Sequence, residues 1–289
     1  MSQTEHFDIT TVREQNSIEG KITALSHVHS GGDEEAGNKS LLRKTREHNP
    51  ETGDLYDLYY VHGNGIKGRL RRLLIVDFLR RIDYQPTDER VFASLISGGI
   101  LQKSGKPQID KSLRWEVREN IRPIDLLGTA YENQMFPANV DVWDMVPCAQ
   151  ETSWHDGIES DKRLSSFITE SFNTRKDTDA DDEGFDLDFT VDEESEQASQ
   201  MKYEYDAFIP GTEFQHGFVL HPTADDLTEA TLHHAIELWA QDATVGGMRT
   251  RGLGRIEHDY DAEIDGSAYR DHVEDNAQEI RDTLDELSR

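Results

Sequence analysis

Residues 17–29, SIEGKITALSHVH, separate Ile22, Ala24 and Val28 by even steps among polar neighbours, the alternation of a strand with one buried face. A polar, glycine-bearing stretch follows to about residue 54 and predicts a loop. LYDLYYVHG, residues 55–63, predicts a short aromatic-rich strand ending at Gly63. From there Ile66, Leu70, Leu73, Leu74 and Phe78 recur on one face of a helix. Residues 85–120 are mixed, with a break at Gly98–Gly99. IRPIDLLGTAYENQMFPANVDVWDMVP, residues 121–147, predicts a turn or short helix, a glycine-bearing connection and a strand at about 139–146. YEYDAFIPGTEFQHGFVL predicts two alternating strands around a Pro210–Gly211 turn. A second helix runs from about Asp225 to Ala243, with Leu227, Leu232, Ile236 and Trp239 near one face. The glycine-rich TVGGMRTRGLGRIE then enters a strand. The pattern closes with one acidic amphipathic helix at about 266–288, through Val273, Ile280, Leu284 and Leu287. Strands and helices mixed without regular βαβ alternation predict an α+β fold, a single domain over residues 1–289.

Charge changes this picture in two places. The chain carries 58 acidic and 30 basic residues, for a formal charge of −28, and arginine outnumbers lysine by 20 to 10. That balance resembles proteins of salt-accumulating halophiles. Net charge alone would argue against a nucleic-acid partner, but the Debye length falls to about 3 Å at 1 M salt. Under such screening the position of a basic patch outweighs the sum. Residues 177–197 hold 11 acids with little sustained pattern and predict a mobile insertion. A lone cysteine, Cys148, excludes a disulfide framework and a cysteine-based zinc site. No apolar run approaches 18 residues and the N-terminus lacks an apolar segment, so the expectation is a cytoplasmic protein without a membrane partner.

The second place is VHGNGIKGRLRRLLIVDFLRR, residues 61–81, where six basic residues face one acid, Asp77. Gly63 and Gly65 permit a positive φ and close backbone approach around Asn64, and a following helix would aim free N–H groups at an anion. Lys67 and Arg71 share a helical face, flanked by Arg69 and Arg72; the plainer reading is a solvated face whose cations pair with nearby acids. The glycine spacing fits neither a Walker phosphate loop nor a dinucleotide fingerprint, which favours a long polyanion over a mononucleotide. GGMRTRGLGR adds Arg249 and Arg251, either as ligands or within a tight packing turn. HVHSGGDEE raises a further possibility, since His27 and His29 alternate on one side of a strand. They are either metal ligands or packed strand residues.

Taken in order, HSGG, YYVHGNGIKGRLRRLL, LLGTAYENQMFPANVDVWDMVP, IPGTEFQHGFVL and VGGMRTRGLGRIE resemble the RAMP superfamily of CRISPR systems. The closest likeness is to backbone subunits of type III and type IV effector complexes. The resemblance implies a ferredoxin-like (RNA-recognition-motif-like) core with insertions, no cofactor, and a thumb-like hairpin. It implies guide RNA, further copies of the chain and other effector subunits as partners. Lys39, Arg43, Lys44, Asn64 and Lys67 would then meet RNA, with Arg69, Arg71, Arg72, Arg249 and Arg251. Family members that cut RNA use an aspartate in the loop after the first strand, and Asn38 falls at that position. Asparagine supplies neither a general base nor a charged metal ligand, so the expected role is non-catalytic. The alternatives are a metal-dependent endoribonuclease using Asp33 or Glu34, a guide-processing nuclease using His27 or His62, and a structural protein whose cations pair with its own acids.

Overall fold

The computed structural model describes residues 16–36, 39–99, 111–131, 134–155, 157–175 and 201–288. The first part of the chain gives strands β1 (Ser17–Ala24), β2 (Gly31–Ala36), β3 (Lys39–Leu42), β4 (Lys44–His48) and β5 (Leu55–Tyr59). Helices α1 (Gly63–Arg81), α2 (Glu89–Ile96), α3 (Lys111–Asn120) and α4 (Arg122–Leu127) follow. Then come short strands β6 (Thr129–Tyr131), β7 (Gln134–Phe136), β8 (Val140–Val142) and β9 (Val146–Pro147). Long strands β10 (Ile168–Arg175), β11 (Met201–Phe208) and β12 (Glu213–Leu220) lead into α5 (Asp226–Asp242), β13 (Ile256–Tyr260), α6 (Ser267–Asp275) and α7 (Ala277–Leu287). The insertion at 177–197 and Asn38 lie outside the described residues.

The central sheet has the order β13-β1-β12-β8, antiparallel at every pairing, with β9 added to β12. Reading β1, α1, β8, β12, α5 and β13 along the chain gives βαββαβ with the first and third strands adjacent at the centre, which is the ferredoxin-like arrangement expected. One sheet face, through Ile18, Ile22, Phe214, Phe218 and Ile256, is buried. The amphipathic helices cover it: α1 contributes Ile66, Leu70, Leu74 and Phe78, and α5 contributes Leu232, Ile236 and Trp239. Arg69 on α1 grips Asp242 at the end of α5 with two hydrogen bonds, tying the helices together.

The predicted loop before residue 54 contains three strands. β2 and β3 join β10 and β11 in a second sheet ordered β10-β11-β3-β2, and β4 pairs with β5. The alternation that marks a strand was missing because β4 is exposed at Lys44, Thr45, Arg46 and His48 alike. The strands on either side of Pro210–Gly211 part company: β11 belongs to the second sheet and β12 to the central one. The single terminal helix expected at 266–288 is two, broken at Asn276, whose side-chain amide donates to the His272 carbonyl at 2.8 Å.

Candidate nucleic-acid interface

Helix α1 starts where its backbone passes under the β8–β9 connection. A Cβ on Gly63 would stand 2.3 Å from the Val142 carbonyl oxygen, so only glycine fits. Asp144, from that connection, accepts a hydrogen bond from the Gly63 N–H at 2.6 Å and pairs with His62 Nδ1 at 2.8 Å. One of the N–H groups expected to be free, that of Gly63, is thus met by the protein's own carboxylate. Gly63 and Gly65 also take helical backbone angles, not a positive φ.

Gly65 and Gly68 differ from Gly63. Nothing lies within 4 Å of a Cβ added to either. Inside a helix glycine costs about 1 kcal/mol relative to alanine, and no contact within the protein requires it here. Steps of three and four put Gly65, Gly68 and Arg72 on one face, with exposed Asn64 beside them. That face is a strip of bare backbone ending in a guanidinium. The spacing is visible in the sequence, yet sequence reasoning weighed the glycines for turn geometry instead.

The basic residues of α1 divide by their partners. Arg71 is 8% exposed, and its Nη1 and Nη2 donate to the Gly128 and Leu127 carbonyls, each at 2.8 Å. It closes the C-terminus of α4 and does not project from the surface, contrary to expectation. Lys67 donates to the Val140 carbonyl at 3.2 Å, and burial followed by the nearby Arg71 charge lowers its pKa. Arg69 is held by Asp242. Arg72 is exposed, and among the described residues no carboxylate pairs with it.

The glycine-rich segment after α5 comes to the same place. Gly246 and Gly254 have φ of 74° and 80°, and a Cβ on them would meet the His29 and Val245 carbonyl oxygens at 2.4 and 2.0 Å. Gly246 allows close packing against the HVH segment and Gly254 closes the loop on itself. The intervening Arg249–Arg251 turn faces α1. Arg249 has its pKa lowered by burial and then by the positive charge of Arg69, with Asp242 opposing and Arg72 adding to the effect. The two glycine-bearing basic segments therefore adjoin in space, and Arg251 extends the patch as an exposed residue.

His29 is buried, with Nδ1 2.7 Å from the Asp206 carbonyl and Nε2 3.2 Å from Ser40 Oγ. Among the described residues, no group of three or more His, Cys, Asp or Glu could hold a metal ion. Asp33 and Glu34 sit on β2, and their side chains lie outside what is described. Lys39 is clamped between Glu170 and Asp206, and those two hydrogen bonds raise its pKa. Lys44 pairs with Asp57 at 3.0 Å. Arg43 links β3 to β4, its N–H donating to the Ser30 carbonyl at 2.8 Å. The outer face of the central sheet shows Glu19, Lys21, Gln215, Glu257 and Asp259, acidic on balance. The concentrated positive charge lies instead at the α1 edge.

A search of curated proteins found no match to this sequence. Among solved structures, a chain described as "Type IV-B CRISPR Complex" superposes with a TM-score of 0.61 at 12% identity, over 85% of this chain and 90% of that one. The two share a fold. A family model described as RAMP superfamily matches residues 21–257, spanning both sheets, α1 and the glycine-rich segment. The chain belongs to the RAMP superfamily.

Proposed function

We propose that the chain is a guide-RNA-binding backbone subunit of a CRISPR-like ribonucleoprotein complex and acts without cutting RNA. The observation that carries this reading is the bare strip of Gly65 and Gly68 on α1, bordered by Arg72 and Arg249. A polyanion backbone could approach such a strip closely. Phosphate contacts give affinity without reading sequence, which suits a subunit that must accept any guide. Asn64, Arg72, Arg249 and Arg251 make the direct contacts, with Arg69 held beside them by Asp242, and Lys39, Arg43 and Lys44, at β3 and β4, add to the binding surface. Lys67 and Arg71 act as positioning residues that hold α1 against β8 and α4. Other effector subunits and further copies of the chain are the partners, in a cytoplasm rich in salt. The non-catalytic role rests on Asn38 standing where cutting relatives carry aspartate.

Retention of a guide-length RNA, titrated over a range of KCl, tests the reading. Replacing both Arg72 and Arg249 with alanine should lower the slope of log affinity against log salt by about 0.7 per lost phosphate contact. The fold should stay intact. Arg71→Met should instead lower stability by about 2–4 kcal/mol, by removing a buried hydrogen-bonded charge. An unchanged salt slope in the double variant would refute the interface. Magnesium-dependent cleavage by the wild-type chain, abolished in Asp33→Ala, would show it to be an endoribonuclease.

A further inference from the structure

Helix α3 turns Val117 and Asn120 inward, where the Asn120 amide donates to Thr283 Oγ1 on α7 at 2.9 Å. Its other side carries Lys111, Arg114, Trp115 and Arg118 at steps of three and four, continued by Arg122 at the start of α4. These side chains form one wall of a cleft of about 620 Å³, within the size range of ligand sites. The segment Pro137–Asn139 and the turn after β12, with His221 and Thr223, form the other wall.

The floor and the rim differ electrically. On the floor, Arg118 donates to Asp125 at 2.8 Å, and Arg122 pairs with Asp225 at 3.0 Å. The buried Arg122 Nε has no hydrogen-bond partner among the described residues. At the rim, no carboxylate among the described residues pairs with Lys111 or Arg114. The Arg114 guanidinium lies 5.7 Å from the centre of the Phe136 ring. Trp115 stands between these cations with 73% of its surface exposed. The lining holds four cations and three acids, in a chain where acids outnumber bases 58 to 30. A flat exposed indole flanked by cations that pair with no carboxylate among the described residues is an arrangement that can stack a base and hold its phosphates. No residue of α1 lines the cleft, so it is distinct from the Gly65–Arg72 strip.

We propose that this cleft is a second binding site, for a single-stranded nucleic-acid segment, with one base stacked on Trp115 and the adjoining phosphates held by Lys111 and Arg114. The inference extends the RNA-binding reading to a new place and can fail independently of it. The full chain is titrated with hexauridylate while tryptophan emission is followed, and guide-length RNA retention is measured in parallel. Trp143, Trp154 and Trp239 are at least half-buried and supply a constant background. The hexanucleotide should quench the wild-type emission, and Trp115→Phe should abolish that quenching. Lys111→Glu combined with Arg114→Glu should raise the half-saturating concentration at least tenfold. Arg72→Glu with Arg249→Glu should leave the quenching intact. The proposal is overturned if the wild type shows no quenching, if quenching survives Trp115→Phe, or if it disappears only in the Arg72/Arg249 variant. It is equally overturned if a glutamate-rich peptide quenches Trp115 and the hexanucleotide does not, since the cleft would then take an acidic protein segment. Loss of quenching in the α3 variants, with long RNA bound normally in the Arg72/Arg249 variant, would refute the α1 interface alone.

Discussion

At Gly65 and Gly68 the helix lacks side chains although nothing in the protein occupies the space where they would stand. Both positions are helical, so alanine would remove the backbone-entropy cost of glycine. Gly65→Ala and Gly68→Ala are each expected to stabilise the free chain by about 0.5–1 kcal/mol, read from urea midpoints. Both should weaken RNA retention, because a methyl group would hold the phosphate backbone away from the helix. Stabilisation with unchanged RNA affinity would mean that no partner approaches there. The basic run 62–82 was legible as unusual. Which of its cations serve the fold was not legible, because their partners are remote in sequence: Arg71 meets Leu127 and Gly128, Lys67 meets Val140, and Arg69 meets Asp242. Neither Asp144 nor Asp242 carries a local mark of its role.

The elements that read clearly in the sequence are those that bury one face in one core. Helix α5 runs from its Asp225 cap to Ala243 in the left-handed region, close to the predicted limits, because its apolar stripe and its caps agree. Strand β4 is exposed at four of its five positions, and without a buried face no period-2 signal forms. The break at Asn276 between α6 and α7 was hidden because the apolar spacing continues across it. Helix α1 has no capping residue of its own, as His62 makes no side-chain cap bond, and borrows Asp144 from 81 residues away. Asp144→Ala should therefore cost about 1 kcal/mol and expose the first-turn amides to faster hydrogen exchange. Unaltered exchange at residues 63–66 would show that the cap contributes nothing.

Across the whole molecule, the central sheet hides an aromatic and histidine cluster under α5. His216 Nδ1 lies 2.8 Å from the Tyr260 hydroxyl, and the ring contacts Trp239. Burial, with His258 adding to it, pushes the His216 pKa down to about 3 from an ordinary 6.5. The unfolded chain therefore binds a proton that the folded chain refuses between those values. Stability should fall as pH drops below 6.5, by up to about 1.4 kcal/mol per pH unit for this group. Urea midpoints at pH 7.5 and 5.0 test this, and His216→Gln should show a smaller loss than the wild type. An equal loss in both would place the sensitivity elsewhere.

Strands β10 and β11 are paired in register from Ile168–Phe208 out to Arg175–Met201, so the chain departs from the second sheet and returns to it at points about 5 Å apart. Closing a loop between fixed neighbouring ends costs only about 0.6 kcal/mol more for each doubling of its length. Sequence added, trimmed or recharged between Arg175 and Met201 accordingly costs folding little. A change of length or charge there leaves the core of the second sheet untouched.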